Sequence, residues 1–318
     1  MDYLAIPKRL VSLPSVRRSI TSLSYIFRRR KLEILLVAPL FIYVFGVTLA
    51  PIFGSIYMSF EQRGGGGFPT LASYRRVVTS YEFLSSLFNT FFFTMLSVGG
   101  ELIIGLGIAM IMARRFCGRG IFRTIMILPL GMPVIVAASN MRYIFGRSGY
   151  LNELLYRLGV HNPIDWLSTT DVLINIPGIW TVEPAFFTLV ISDMWKVTPL
   201  VMLILLAGLE SIPRELYEAA EVDGSSWWQR FRYITLPLLK PSITMAIVIR
   251  GVDAFRVFIQ LRGLAIDEHV KVLSFYAYNR YIAADYQASG AASTILLMMI
   301  LIAIVSYIMI TGRREVMR

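Results

Sequence analysis

Charged side chains inside long apolar runs are the residues of this sequence best placed to do chemistry. Asp193 and Lys196 interrupt the run 185–209, and Arg250, Asp253, Arg256 and Arg262 crowd the stretch 241–264. A charge held in hydrocarbon without a partner is expensive, so such residues face one another or a water-filled cavity. Asp193 with Lys196, and Arg250 with Asp253 and Arg256, are spaced by three, so each set can pair along one helical face. Self-pairing and lining of a solute path both fit that spacing. Asn140, Tyr143, Trp195, Thr198, Phe258 and Gln260 add amides, hydroxyls and aromatic rings. Together they could receive the hydroxyls and apolar ring faces of a neutral sugar-like solute, although packing explains any one of them as well.

Covalent and nucleotide chemistry find no comparable set. A phosphate-binding loop needs Gly-Lys-Ser/Thr, so that backbone N–H groups and the lysine hold the phosphates. None of the five lysines, Lys8, Lys31, Lys196, Lys240 and Lys271, follows a glycine. Any ATP and its Mg2+ are therefore expected on a separate chain, and no cofactor is expected on this one. Cys117 is the single cysteine, which excludes an intrachain disulfide, and two histidines leave little for a zinc site. His161 and His269 fall in expected outer loops, and neither adjoins a GxSxG or HExxH motif, which argues against an intramembrane enzyme. The net charge of +11 comes from short basic clusters flanking apolar runs, not from one basic face, so nucleic acid is not an expected partner.

The elements that must position these residues are membrane spans. Of the 318 residues 56% are hydrophobic and 16% charged, with a mean hydropathy of +0.64. Lipid is the expected solvent of such a chain. Hydropathy picks out spans over 34–60, 83–113 with Glu101 as its one charge, 124–145, 185–209 and 286–312. The uncharged run 34–60 would make a helix of about 40 Å. A signal peptide is not expected, because this run is far longer than a signal h-region. Lys and Arg accumulate on the cytoplasmic side of membranes. Eight of them precede Leu32, Arg114, Arg115, Arg119 and Arg123 follow the second span, and Arg313, Arg314 and Arg318 close the chain. Both ends are thus expected inside, which requires an even number of crossings and makes 241–264 a span as well, the fifth in chain order of six.

The expectation is an all-α integral membrane protein with six transmembrane helices, N-in and C-in. Residues 1–31 form a basic, amphipathic cytoplasmic segment, 32–312 the transmembrane domain and 313–318 a cytoplasmic tail. The four consecutive glycines 64–67 read as a plain loop tip.

Between the fourth and fifth spans, the loop 210–241 carries more punctuation than a connector needs. Ser211 reads as an N-cap with Pro213 and Glu215 in the first turn, and Gly224 as a left-handed stop. Ser225 or Ser226 can cap a second helix, on which Trp227, Phe231 and Ile234 make an apolar stripe before Pro237 and Pro241 bend the chain back. Here the sequence resembles the permeases of binding-protein-dependent ATP-binding cassette importers. Glu218, Ala219, Ala220, three residues, Gly224, nine residues, then Ile234, Leu236 and Pro237 match their EAA signature without a gap. Asp223, Gln229, Phe231 and 238–241 look like the carbohydrate subgroup, and Trp195–Pro199 and Asp253–Phe258 extend the likeness more loosely.

The resemblance implies a type I importer permease fold in a bacterial or archaeal cytoplasmic membrane. It implies that the loop docks on an ATPase subunit, with Glu218 meeting a basic residue there and Gly224 allowing the turn. The implied partners are that ATPase, a second and nonidentical permease, and an extracytoplasmic solute-binding protein. The implied solute is a sugar, polyol or glycoside. Residues 262–271, RGLAIDEHVK, depart from the glycine- and proline-rich turn common in that subgroup, which leaves the solute open. An ion-coupled secondary transporter of a small polar solute is the alternative, and the EAA loop counts against it.

Overall fold

The computed structural model describes residues 31–316, apart from 65–66, 115, 169–171, 177–179 and 268. The expected amphipathic segment 1–31 thus lies outside the described residues except for Lys31, as do the middle two of the four glycines. The chain divides into two compact units, the first ending at Ser55. In the first, α1 (Lys31–Tyr43) continues through a π turn over Val44–Leu49 into α2 (Ala50–Ser59). Leu36, Leu40, Ile42, Phe45 and Phe53 leave its sides exposed. A helix apolar all round is built for lipid or for another protein.

The second unit is helical with one small exception. In chain order it contains α3 (Ala72–Val78), α4 (Tyr81–Met112), α5 (Arg119–Gly131), α6 (Val134–Phe145) and α7 (Tyr150–Arg157). Two short strands follow, β1 (Ile174–Ile176) and β2 (Trp180–Val182). Then come α8 (Pro184–Glu210), α9 (Arg214–Val222), α10 (Trp227–Arg230), a π turn over Phe231–Thr235 and α11 (Leu236–Leu238). The chain ends with α12 (Lys240–Phe255), α13 (Ile259–Leu264), α14 (Leu273–Ile282) and α15 (Tyr286–Val316). The strands pair antiparallel with Asn175 opposite Thr181, a small exception within the expected helical fold. Burying Trp180 and Val182 while Thr181 is only half-buried gives a two-residue alternation that a strand satisfies and a helix does not.

Among the described residues four helices are long and apolar enough to cross a membrane: Leu35–Ser59, Tyr81–Met112, Pro184–Glu210 and Tyr286–Thr311. Two bent pairs, Arg119–Gly131 with Val134–Arg157 at 101° and Trp227–Leu238 with Lys240–Phe255 at 61°, raise the total to as many as six. The expected third span over 124–145 is therefore bent where α5 gives way to α6. Pro133 has no N–H and forces Met132 out of the helical region to φ −80° and ψ 140°. The expected fifth span over 241–264 is also interrupted, since α12 ends at Phe255 and α13 starts only after Phe258, whose φ is −147°. The last helix runs on to Val316, so residues 313–316 of the expected tail are helical.

The packing of α4 runs against the hydropathy that marks it as a span. Its buried side carries Ser86, Thr90, Thr94, Ser97, Glu101, Gly105 and Ala109, recurring every three or four residues, while Met95, Ile103 and Ile111 are exposed. In lipid the large apolar side chains face outward, and small residues let helices approach closely. Gly105 sits so near α8 that a Cβ there would lie 3.2 Å from the backbone N of Met202. A Cβ on Gly208 would collide with Ser242 and come 2.7 Å from Leu239 Cδ1, and one on Gly263 would collide with Ala138 and come 3.1 Å from the Ile135 carbonyl. These glycines set the α8–α12 and α13–α6 spacings. Gly208→Val and Gly263→Val are each expected to cost about 1–3 kcal/mol by overpacking. Thermal unfolding in detergent should register that loss, whereas Gly107→Val, with nothing within 4 Å of the new Cβ, should leave the midpoint near that of the parent.

Candidate functional site

Two arrangements on this frame bring functional side chains together: a buried charge cluster between four helices and a capped hairpin between α8 and α12. In the first, α4 supplies Ser97 and Glu101 one turn apart, α8 supplies Asp193, α12 supplies Arg250 and α13 supplies Gln260. Arg250 donates from Nε to Glu101 Oε2 at 2.7 Å and from Nη2 to Glu101 Oε1 at 2.8 Å. Its Nη2 also donates to Asp193 Oδ2 at 2.9 Å. Ser97 Oγ lies 2.5 Å from Asp193 Oδ2 and 3.1 Å from Glu101 Oε1. Gln260 Nε2 donates to Asp193 Oδ1 at 2.7 Å. Glu101 is fully buried, and Arg250 and Asp193 are nearly so.

The forked, bidentate geometry is what a guanidinium offers and an ammonium does not. Among the described residues no buried side-chain nitrogen or oxygen lacks a hydrogen-bond partner. Bound this way, the five residues form a fixed joint between helices and hold neither a nucleophile nor a metal set.

This corrects the expected pairing along single helices. Asp193 pairs with Arg250 on α12 and not with Lys196, and Arg250 pairs with Glu101 and Asp193 and not with Asp253. Asp253 and Arg256 do pair with each other, at 2.8 Å, on an exposed surface. A cross-helix pair is favoured because the neighbours of Arg250 on its own helix cannot follow it into the interior. The sequence reading noted Glu101 only as the lone charge of its span and missed Ser97. The signal that could have found both is the periodic small and polar stripe of α4.

The remaining expected pathway residues do not converge on one place. Trp195 and Thr198 line an apolar cleft of about 700 Å3 with Met126, Met194 and Met202, between α4, α5 and α8. Asn140 and Tyr143 are exposed on α6, Lys196 is buried, and Phe258 is half-buried against Phe275 and Tyr278.

In the hairpin, α9 ends with the geometry that its glycine predicts. Gly224 has φ +74°, its N–H donates to the Glu221 carbonyl at 3.0 Å, and the Ser225 N–H donates to the Ala220 carbonyl at 3.0 Å. That is a Schellman stop, which satisfies the last carbonyls of the helix. Ser226 then caps α10 in a reciprocal box with Gln229, accepting from the Gln229 N–H while the Gln229 side chain accepts from the Ser226 N–H. The expected cap at Ser211 is not formed. Its hydroxyl donates instead to the Gly208 carbonyl, finishing α8, and α9 starts after Pro213.

Tyr217 and Thr235 share a hydrogen bond of 2.9 Å and Arg230 meets Glu221 at 3.2 Å, so the two arms are tied together. Trp227 stacks on Phe231 at 5.6 Å with the rings 6° from parallel. Glu218, Ala219, Asp223 and Gly224 are exposed, while Ala220, Ile234, Leu236 and Pro237 are half-buried. Trp227 and Trp228 are exposed too, whereas Phe231 and Ile234 of the expected stripe are half-buried.

The family described as the binding-protein-dependent transport system inner membrane component matches residues 102–312, a stretch holding both the hairpin and most of the charge cluster. The chain belongs to that family. The trehalose/maltose transport system permease protein MalF of Thermococcus litoralis is 36% identical over 89% of this chain and 94% of its own length. The trehalose transport system permease protein SugA of Mycobacterium tuberculosis is 34% identical over 72% of this chain and 71% of its own. The fold is that of a bacterial ABC transporter involved in import of the acidic polysaccharide alginate, with TM-score 0.75, 23% identity and coverage of 92% and 99% of the two chains. A structure of the alginate transporter in complex with a pentasaccharide-bound periplasmic protein matches with TM-score 0.72, 23% identity and coverage of 90% and 96%. The protein is thus a multi-pass permease subunit of an ABC importer, a transport component and not an enzyme, and the ion-coupled alternative falls away.

Removing one member of a buried pair strands the others without compensation, at a cost of about 3–5 kcal/mol. Arg250→Gln and Glu101→Gln are each expected to lower the unfolding midpoint in detergent strongly, and the double variant by less than their sum. Arg256→Gln, on the exposed pair, should change stability by no more than about 0.5 kcal/mol.

Proposed function

We propose that the chain carries a sugar, polyol or glycoside across a bacterial or archaeal cytoplasmic membrane as one half of a heteromeric permease. In this reading it has six spans with both ends inside, the bent pairs counting as the third and fifth. The ends are the cytoplasmic segment 1–31 and tail 313–318, and 32–312 is the permease domain. A second, nonidentical permease completes the path, an extracytoplasmic binding protein delivers solute, and separate ATPase subunits bind the ATP and Mg2+. The observation that carries the reading is the hairpin. It is capped at both turns, tied across its arms, and presents the matched Glu218 and an aromatic cluster that this chain leaves uncovered.

A loop already ordered loses little entropy on docking, which suits a part that must transmit movement. A single residue, Leu239, joins the hairpin at a 61° bend to α12, the helix that bears Arg250. Rocking of the hairpin by an ATPase would therefore tilt a helix whose middle is held by Glu101 and Asp193. Asp193 passes the constraint on through Gln260 to α13, beside Phe258. Glu218, Ala219, Ala220, Asp223, Gly224, Ile234, Leu236 and Pro237 form the coupling surface. Asn140, Tyr143, Trp195, Thr198 and Phe258 remain the residues proposed to touch solute, with Lys196, Asp253 and Arg256 beside the path.

Purification of the C-terminally tagged protein in mild detergent should recover a P-loop ATPase and a second permease. Glu218→Lys and Gly224→Asp should reduce ATP-coupled uptake to background while the protein stays in the membrane, Gly224 because its left-handed conformation is strained for any other residue. Full uptake by both variants would remove the hairpin from the coupling path.

A further inference from the structure

Where α6 meets α7, an open cavity of about 520 Å3 is lined by Ser139, Arg142, Tyr143, Arg147, Ser148 and Leu167, with the glycines of the turn. Ser139, Arg142 and Tyr143 are spaced i, i+3 and i+4 on α6 and share one face. The opposite face, through Ala138, Met141 and Phe145, is buried in the core. Arg63, Arg76, Arg157, Arg262, Lys271 and Arg280 each meet a carboxylate. Arg142 and Arg147 meet none among the described residues, and no carboxylate lines their cavity. Two guanidinium groups thus share one concave site without a counter-charge, beside an exposed Tyr143 ring and two serine hydroxyls.

We infer that this cavity is a subsite for the acidic group of a sugar acid. A planar carboxylate matches the guanidinium fork bidentately, the phenol ring offers a stacking face to the sugar, and the serines can hydrogen-bond its hydroxyls. A volume of this size lies within the ordinary range for small-molecule sites. The inference rests on the permease reading above and narrows its solute class from neutral sugars to anionic ones. A neutral sugar could use the ring and the hydroxyls but would leave both exposed guanidinium forks to water.

Equilibrium dialysis of radiolabelled glucuronate and of glucose against the purified permease complex, without binding protein or ATP, reads this site directly. Glucuronate should bind saturably and glucose at least about tenfold more weakly, as loss of a charge-assisted hydrogen bond implies. Arg142→Gln combined with Arg147→Gln should weaken glucuronate by at least about tenfold. Arg142→Lys combined with Arg147→Lys keeps the charge without the fork and should retain part of the binding. Equal binding of the two sugars, no saturable glucuronate binding, or unchanged binding by the glutamine variant would each overturn the assignment. ATP-coupled uptake measured on the same preparations separates the two levels. Uptake of glucose without glucuronate binding sinks the acid subsite and leaves the permease reading standing, whereas absence of any ATP-coupled uptake sinks both.

Discussion

The guanidinium of Arg250, shared between Glu101 and Asp193, is the interaction on which the rest of this structure depends. It brings α4, α8 and α12 to a common point deep in the helical unit, and Gln260 adds α13 through the free oxygen of Asp193. In water such a cluster would contribute little, since burying three charges costs about what their attraction returns. In a bilayer the comparison is different, because each of these charges on a lone helix would face hydrocarbon. Association of the helices is then a condition for the charges to be accommodated at all. The close contacts at Gly105 and Gly208 allow the approach, and the apolar cluster of Met202, Leu205, Leu206 and Leu239 fills the space toward the hairpin.

The N-terminal end of α4 is held by different means. Trp180 lies parallel to Phe92 at 4.5 Å and donates from Nε1 to Asn89, whose amide in turn donates to the Lys271 carbonyl. Thr90 accepts from the Leu273 N–H, so α4 anchors both the β ladder and the start of α14. Asp285 caps α15 and gathers Arg63 from the loop before α3 and Arg76 from α3 itself. One polar stripe on one helix thus serves the loops at one end and the charge cluster at its middle.

Much of this was legible in the sequence, and what was not has definable causes. Long apolar runs mark α4, α8 and α15 because lipid demands apolar length, and the Ser226, Gln229 and Gly224 signals in the hairpin hold because caps are local. The bend in the third span was not legible because hydropathy is blind to the N–H that Pro133 lacks. Ser211 was misassigned because the same hydroxyl can cap a following helix or finish a preceding one, and the end of α8 claimed it. The pairing of Arg250 was misplaced because spacing reports neighbours on one helix, whereas its partners lie 57 and 149 residues away. The cavity at Arg142 and Arg147 was invisible for a further reason, since it takes shape only where the turn after α6 folds over the helix.

The separation of 149 residues between Glu101 and Arg250 also has a consequence for biogenesis. Glu101 leaves the ribosome long before its counter-ion, and at synthesis rates of about 5–20 residues per second the interval is about 7–30 s. During that time α4 is a finished span with an unmatched carboxyl group at mid-length, and α8 arrives bringing a second acid, Asp193, before Arg250. Such an intermediate has to be sheltered by the insertion machinery or held close to the membrane surface. The last third of the chain therefore decides whether the first two thirds can settle in the bilayer, and chains truncated before Arg250 should be natural substrates for membrane quality-control proteases.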